Sequence, residues 1–389
     1  MAVAERKVEP TRKLSRPDLP PWFSKAAATA GLLFIAVMPF FFNKGSNFID
    51  DSTLALAYVV MALGLNIMVG FAGLLDLGYV AFFAFGAYCT GWFASGFFAD
   101  ADIHVLTSKF GENLPGIHLN WVFVALIAMA ICALVGVIIG LPTLRLRGDY
   151  IAIVTLAFGE IIRVFAINGD EIKISGHAVT AGRQGITPID AIAPPGGTAF
   201  NPLDLRPWYW VAFGMVLITL FCNIRLRDSR LGRAWIAIRE DEVAAASMGV
   251  PLVKTKLLAY ASGAAFGGMA GAFLGAYLNT VNADQFAFAF SIFVLAMIIL
   301  GGIGSIWGVT LGAIALTFIN YRLIPDVLKT APSKFGLDFE LTDLSFGIFG
   351  FLLVIMMVLR PQGLLPERRR ELELEEGVGA DETLVQVRA

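Results

Sequence analysis

The chain has 389 residues, of which 57% are hydrophobic and 15% are charged, and its formal net charge is −2. Soluble domains carry roughly 25% charged residues, so this composition excludes an ordinary soluble protein and indicates an integral membrane protein. The small net charge is uninformative, because the position of each charge along the chain determines how a membrane protein is oriented.

Hydropathy along the chain predicts an all-α, polytopic membrane protein of about ten transmembrane helices. Each candidate span has roughly 20 mostly apolar residues, the length that crosses a bilayer. The candidates lie near residues 26–42, 52–70, 78–98, 121–141, 150–168, 208–224, 257–280, 286–301, 306–324 and 344–360. They define a transmembrane domain over 26–366, between a basic segment, 1–25, and a charged tail, 367–389, whose composition is typical of disorder.

Basic residues cluster in four places and predict the orientation of the chain. The clusters precede the first span, include Arg145 and Arg147, extend from Arg225 to Arg239, and occupy residues 368–370. Because basic loops of membrane proteins face the cytoplasm, ten spans place all four clusters and both termini on the cytoplasmic side. The segments 99–120, 169–207 and 325–343 are then predicted to lie outside.

Two glycine-rich stretches interrupt the apolar pattern without adding a charged loop. LNIMVGFAGLLDLGYVAFFAFGAY (65–88) and LAMIILGGIGSIWGVTLGAIAL (295–316) each have Gly-x-x-Gly followed by a glycine near the next helix. Such a weak repeat is typical of transporters that line a cavity with backbone polar groups, although two tight helix hairpins without a ligand would give the same pattern. The candidate pathway residues in these stretches are Asn66, Gly73, Asp76, Tyr79, Gly301 and Gly304.

A ladder of glycines follows in SGAAFGGMAGAFLGAY, at Gly263, Gly267, Gly271 and Gly275. Residues four apart share one face of a helix, and small residues at that spacing let another backbone approach closely. The ladder therefore predicts a surface for close helix packing. The alternative is that the small residues leave room for a substrate path.

Charged residues inside spans are costly and therefore are functional candidates. Glu160 and Arg163 are three residues apart, so they share a helix face and can pair. The pair is predicted either to lock helices together or, as a further pathway candidate, to contact substrate through Glu160. Asn279 and Asn282 are weaker polar candidates.

The sequence predicts neither a metal site nor catalysis. Its three cysteines lie in apolar runs without Cys-x-x-Cys spacing, and its three histidines lie in polar segments without a partner at metal-ligand spacing. It also has no Gly-x-x-x-x-Gly-Lys-Ser/Thr phosphate loop, so a transporter built on this chain would take its energy from another chain.

One charged run stands out, LGRAWIAIREDEVAAASMGV (231–250), in a predicted cytoplasmic loop. Its second part, AIREDEVAAASMGV, predicts a short helix with acidic residues in its first turns, ended by Gly249 and Pro251. A helix with small residues beside a charged face can dock in a groove on a partner, although a solvated loop would show the same composition.

EDEVAAASMGV resembles the coupling helix with which permeases of bacterial ABC importers bind their ATPases. Across roughly residues 54–366 the chain resembles the M-type permease of branched-chain amino-acid importers. The matching stretches are GLLDLGYVAFFAFGAY, LPTLRLRGDYIAIVTLAFGEIIR, LGRAWIAIREDEVAAASMG, LAMIILGGIGSIWG and RPQGLLP. The resemblance implies that the ATPase-coupling residues are Arg239, Glu240, Asp241, Glu242, Ala245, Ala246 and Gly249.

The family also implies an assembly in the bacterial inner membrane. Its members work with an H-type permease, two ABC ATPase subunits that hold ATP and Mg, and an extracytoplasmic binding protein. The chain itself would be no enzyme, would hold no cofactor, and would contact lipid but no nucleic acid.

Three alternatives stay open. VTAGRQGI (179–186) departs from the usual family run at Ala181, Arg183 and Gln184. Sister importers for urea or short amides therefore compete with a branched-chain cargo. The other two functional classes are a stand-alone secondary transporter or channel and a scaffold subunit of a membrane complex.

Overall fold

The computed structural model describes residues 21–107, 114–144, 149–174, 177–194 and 197–325, together with 347, 350, 351, 354, 355 and 363–365. The predicted tail, Arg145, Arg147 and most of the predicted span 344–360 lie outside these residues, as do the first 20. The chain divides into two compact units, Met1–Asn43 and Lys44–Ala389. The first unit therefore contains the predicted span 26–42.

The described part of the chain has eleven α-helices. They are α1 (Pro21–Val37), α2 (Asn47–Asn66), α3 (Val80–Phe93), α4 (Trp121–Thr143), α5 (Asp149–Asn168), α6 (Arg206–Asp228), α7 (Arg230–Glu240), α8 (Glu242–Ser247), α9 (Leu252–Tyr277), α10 (Phe288–Gly301) and α11 (Ile306–Phe318). A 3-10 turn, Met38–Phe41, extends α1, and π-helical turns, Ile67–Phe71 and Ile319–Leu323, extend α2 and α11.

Six described helical segments are long and apolar enough to cross a membrane, and three apolar helices are shorter. The six are Asn47–Phe71, Trp121–Thr143, Tyr150–Asn168, Arg206–Asp228, Leu252–Tyr277 and Ile306–Leu323, and the three are Thr29–Phe41, Val80–Phe93 and Phe288–Gly301. These nine segments coincide with the first nine predicted spans, and the prediction of a polytopic α-helical fold is confirmed.

Two of the short helices, α3 and α10, adjoin the glycine-rich stretches. Each has 14 residues, which is about 21 Å of helix and less than the roughly 30 Å hydrocarbon core. The predicted span 78–98 was too long because the chain leaves the helix at Phe93 and enters a short strand. We name residues 72–79 the first break and residues 302–305 the second break.

The interior is built around α2 and α9. Helix α2 packs against α6, α9 and α11, and α9 also packs against α3 and α4. The glycine ladder explains how closely these helices approach: a Cβ on Gly263 would lie 2.7 Å from the Gly64 carbonyl oxygen, and one on Gly271 would lie 2.2 Å from the Phe83 carbonyl oxygen. Both distances are shorter than real Cβ contacts, so only glycine fits at these crossings.

Four short strands, β2 to β5, lie in the predicted external segments 99–120 and 169–207, and one, β1, lies at the end of the predicted span 78–98. Strands β1 (Ala94–Ser95), β2 (Asp102–Val105) and β3 (Gly116–Leu119) form a sheet in the order β1-β3-β2, with β1 antiparallel and β2 parallel to β3. Strands β4 (Lys173–Ile174) and β5 (His177–Ala178) form an antiparallel pair.

His118, on β3, ties the larger sheet to the segment before α6. Its buried ring nitrogen Nδ1 lies 2.6 Å from Asp190 Oδ2. Burial raises the pKa of the Asp190 carboxyl, and the hydrogen bond with His118 opposes that rise. The sequence had placed this histidine in a polar segment without a role.

Candidate coupling and translocation site

Side chains of α5, of α10 and of the break itself bind the backbone of the first break and of the residue that follows it. The Leu77 N–H donates to Thr155 Oγ1 of α5 (3.0 Å), and the Val80 N–H donates to Ser291 Oγ of α10 (3.1 Å). Within the break, the Gly78 N–H donates to Asp76 Oδ1 at 2.7 Å. Asp76, a predicted pathway residue, is buried and therefore shapes this loop.

Tyr79, another predicted pathway residue, fills space left by glycines. Its hydroxyl donates to the Gly263 carbonyl oxygen at 2.9 Å. A Cβ on Gly64 would lie 2.3 Å from that hydroxyl, and one on Gly267 would lie 3.0 Å from it. Tyr79 therefore joins the first break to the glycine ladder of α9.

The end of α2 meets the second break, although 238 residues separate the groups that join them. Asn66, fully buried at the end of α2, accepts a hydrogen bond from the Gly304 N–H at 3.0 Å. Gly304 has a φ of +89° and Gly302 has a φ of +113°, both in the left-handed region that favours glycine. Gly301 and Gly304 are buried, whereas Gly73 is exposed.

The Glu160–Arg163 pair forms within α5. Arg163 Nη1 lies 3.6 Å from Glu160 Oε2, and the side chains are 33% and 40% exposed, respectively. The pair sits near the middle of a span that is mostly exposed in the single chain. It is therefore not enclosed between two helices of the described chain.

The predicted single helix over AIREDEVAAASMGV was wrong, because the chain breaks at Asp241. Asp241 has extended backbone angles, and its Oδ1 accepts hydrogen bonds from the N–H groups of Val243 (2.8 Å) and Ala244 (2.9 Å). Aspartate is a strong N-cap, and its side chain competes with the backbone inside helices. It therefore ends α7 and starts α8, which terminates before Gly249, with a φ of +86°.

Three contacts attach α7 and α8 to the bundle. Trp235 Nε1 donates to the Thr255 carbonyl oxygen of α9 at 2.7 Å. Lys256 Nζ, on a side chain that is only 7% exposed, lies 2.7 Å from Glu242 Oε1. Arg239 Nη1 donates to the Gly70 carbonyl oxygen at 2.6 Å. The α7–α8 unit is thus held on both α9 and the end of α2.

The outer surface of α8 carries two large apolar side chains. Val243 is 75% exposed and Met248 is 85% exposed. Of the predicted coupling residues, Ala245 is buried and Arg239 is half-buried, whereas the others are exposed, namely Glu240, Asp241, Glu242, Ala246 and Gly249. The sequence interpretation missed Val243 and Met248, which the two-helix geometry turns outward.

The sequence matches the profile of the branched-chain amino acid transport system permease component over residues 48–357. The chain belongs to this family. The resemblance drawn from the sequence motifs is confirmed, and the family is one of transport permeases.

Several curated relatives resemble this permease over most of its length. It is 37% identical over 367 residues to the high-affinity branched-chain amino acid transport system permease protein LivM of Salmonella typhimurium, covering 89% of this chain and 76% of the relative. It is 26% identical to a probable LivM of Methanocaldococcus jannaschii, covering 80% and 91%. It is 24% identical to LivH of Escherichia coli, covering 80% and 92%. No solved structure matches it.

The segment where this permease departs from the usual family motif is tied to the turn after α9. The Ile189 N–H donates to Asn279 Oδ1 at 2.8 Å, and Asn282 Nδ2 donates to the Arg183 carbonyl oxygen at 3.2 Å. Ile186 and Val281 exchange backbone hydrogen bonds of 2.9 and 3.1 Å. Asn279 and Asn282, weak pathway candidates in the sequence, therefore fasten this loop.

Replacing Asn66 with alanine is expected to destabilise the permease. The change leaves the buried Gly304 N–H without its acceptor, which costs about 1–3 kcal/mol. Thermal unfolding of the purified chain in detergent measures this effect. Asn223→Ala is the matched control, because Asn223 is fully buried and its amide nitrogen bonds to Thr219 of its own helix. Equal losses for both variants would contradict a special role for the contact between α2 and the second break.

Proposed function

We propose that this permease is one membrane subunit of an ATP-driven importer for branched-chain amino acids in a bacterial inner membrane. The observation that carries the proposal is the α7–α8 unit, which presents exposed acidic and apolar side chains on a base that is anchored to α2 and α9. A solvated loop does not need to be anchored to the bundle, whereas a surface that transmits movement to the bundle must be attached to it.

The apolar side chains of α8 support docking on a partner. Val243, on the six-residue helix α8, and Met248, directly after it, expose large apolar groups, and this helix is too short to cross a membrane. Apolar residues beside small and charged ones suit a groove on another protein. We propose that these two residues join the predicted set from Glu240 to Gly249 in the cleft of an ABC ATPase, which holds ATP and Mg.

The orientation that docking requires agrees with the charge pattern. Helices α6 and α7 meet amid arginines, which favour the cytoplasmic side of a membrane. These arginines are Arg225, Arg227, Arg230 and Arg233. We place α7, α8 and both termini in the cytoplasm, and the β-strands outside, where a binding protein would deliver cargo.

A second permease completes the proposed pore. This chain is similar both to LivM proteins and, at 24% identity, to LivH proteins. Two chains of one family can pair about an approximate two-fold axis, as homologous subunits commonly do. The H-type permease is the proposed partner, and ATP binding would rock the two subunits between inward-facing and outward-facing states.

The contact between Asn66 and the second break supports a place for Asn66 on the substrate pathway. Among the described residues, the buried Asn66 Nδ2 has no hydrogen-bond partner. A buried amide donor without a partner is costly, and it matches the carboxylate of an amino acid. Asn66 is therefore our proposed contact for the cargo, with Asp76 and Tyr79 shaping the loop beside it.

Glu160 and Arg163 are proposed to face the partner permease or the aqueous path between the two subunits. Charges at the middle of a span are unfavourable in lipid, so a half-exposed pair needs a polar neighbour outside this chain. Replacing Glu160 with glutamine is expected to reduce the assembled complex several-fold, because Arg163 loses its counter-charge.

Exchange of the two charges, Glu160→Arg with Arg163→Glu, is expected to recover much of that assembly. The yield of complex after size-exclusion chromatography measures both variants. Glu171→Gln, an exposed change just beyond α5, is the matched control. A charge exchange that assembles normally yet transports nothing would show instead that the pair contacts the cargo.

The direct test is the ATPase activity of the reconstituted importer, titrated with its binding protein. We expect stimulation when the binding protein holds leucine, isoleucine or valine, and none with urea or a short amide. Stimulation by urea or an amide alone would overturn the cargo. Uptake driven by an ion gradient without any ATPase would overturn the importer class.

A further inference from the structure

Arg239 is the residue of the α7–α8 unit whose side chain reaches the end of α2. Its guanidinium donates to the carbonyl oxygen of Gly70, in the π-helical turn that ends α2. Carbonyl groups at helix ends lack intrahelical partners, and cations are favoured there. The contact therefore satisfies a group that would otherwise be unpaired within its helix.

Gly73 is shaped to receive this arginine. It has a φ of +69°, and a Cβ added there would lie 2.6 Å from Arg239 Cγ and 3.4 Å from its Cα. The backbone of the first break thus passes directly against the stem of Arg239. We expect movement of α7 relative to α2 to displace this segment, because Gly73 has no side chain of its own to absorb it.

The contact continues to the second break. A Cβ on Gly70 would lie 2.1 Å from Asn66 Oδ1 and 2.8 Å from the Gly304 nitrogen. Asn66 Oδ1 in turn accepts the hydrogen bond from that nitrogen. Arg239, Gly70, Asn66 and Gly304 are therefore consecutive members of one contact path, which runs from the α7–α8 unit to both breaks.

The remaining anchors of the α7–α8 unit reach the first break less directly, through α9 and the hydrogen bond from Tyr79 to Gly263. Trp235 and Lys256 attach it to α9, a continuous helix of 26 residues that is packed on three sides. A long packed helix moves as a rigid body, whereas a π-helical turn followed by glycine-rich backbone can change locally. Arg239 therefore connects the unit to the part of the bundle best able to rearrange.

We propose that Arg239 is a positioning residue that transmits the movement of the α7–α8 unit to the two breaks, and is not a docking contact for the ATPase. This inference rests on the proposed function. When the ATPases close, the guanidinium carries the Gly70 carbonyl group with it, and the change reaches Gly304 through Asn66. The planar guanidinium holds a carbonyl oxygen in a fixed direction, which the ammonium of lysine does less well.

The test is the amount of leucine transported per ATP hydrolysed by the complete importer in proteoliposomes. For Arg239→Gln we expect this ratio to fall about tenfold, within the usual range of coupling between sites. ATPase activity and complex yield should stay within about twofold of the unmodified importer, because the docking surface is unchanged. Arg239→Lys should recover part of the ratio.

Arg233→Gln is the matched control, an exposed arginine six residues earlier on α7 whose side chain bonds to the carbonyl oxygen of Asp228, the last residue of α6. We expect it to leave the ratio unchanged. An unchanged ratio in Arg239→Gln would overturn the proposal. A parallel loss of ATPase binding and uptake would overturn it too, because it would make Arg239 a docking residue.

A second measurement keeps the proposal testable if Arg239→Gln fails to assemble. Leu75, exposed in the first break, is replaced by cysteine in a Cys222→Ser background, since Cys89 and Cys132 are buried. We expect ATP to change the rate of thiol labelling at position 75, and Gly73→Ala, which displaces Arg239, to abolish that change. An ATP response that persists in Gly73→Ala would contradict transmission at this contact.

These outcomes are separate from failure of the proposed function. If the unmodified chain binds no ATPase, the importer class itself is wrong. If the unmodified importer couples ATP hydrolysis to leucine uptake and Arg239→Gln leaves the leucine-to-ATP ratio unchanged, as Arg233→Gln does, the importer class stands. In that case the proposed role of Arg239 is wrong.

Discussion

Replacing Gly249 with tryptophan is expected to abolish uptake while the chain still inserts into the membrane. Gly249 follows α8, and no atom of the described residues lies within 4 Å of a Cβ added there. A large side chain would therefore project outward, into the space that a docked ATPase occupies. Uptake in cells and the amount of ATPase that co-purifies measure the effect.

The backbone at Gly249 supplies the control for this experiment. Its φ of +86° is strained for any other residue by roughly 1–2 kcal/mol. Asparagine tolerates positive φ better than other residues, so Gly249→Asn tests backbone strain with little bulk. We expect that variant to transport at close to the normal rate. Normal uptake by Gly249→Trp would exclude this side of α8 from the docking surface.

The second large effect is expected inside the bundle, where Gly271→Leu should prevent correct assembly of α3 on α9. A Cβ at this position would lie 2.2 Å from the Phe83 carbonyl oxygen and 2.9 Å from the Ala87 nitrogen. Both are backbone atoms of α3, which cannot rotate away as a side chain can. Overpacking of this kind costs about 1–3 kcal/mol, or more where the backbone must move.

Gly214→Leu on α6 is the matched control, because a Cβ there meets no atom within 4 Å in the part of the chain that the structure describes. We expect its stability to lie within about 0.5 kcal/mol of the unmodified chain. Thermal unfolding and the monodisperse yield in detergent measure both variants. Similar behaviour of the two leucine variants would mean that the close approach at Gly271 does not stabilise the bundle.

The spans and the close packing of α9 could be predicted because each depends on local sequence. Transfer of apolar residues from water to lipid is a property of the segment itself, so hydropathy located the first nine spans. A four-residue glycine period likewise places Gly263 and Gly271 on one helix face, whatever the partner. The partner backbones at Gly64 and Phe83 could not be predicted, because they depend on tertiary packing.

The candidate site was predicted less completely because its geometry depends on long-range contacts and on one cap. The sequence indicated two similar breaks, but only the fold brings Asn66 to Gly304. Asp241 could have been identified as an N-cap, yet its position inside a helix-favouring run suggested one continuous helix. That single error hid the outward position of Met248 and the inward position of Arg239.

The short helices α3 and α10 have a consequence for an idle transporter. Each is roughly a third shorter than a 30 Å hydrocarbon core. Non-helical backbone at such a depth must find its hydrogen-bond partners elsewhere in the protein, and in the first break Thr155 and Asp76 provide them. We therefore expect proton leak through an idle transporter to depend on these few hydrogen bonds.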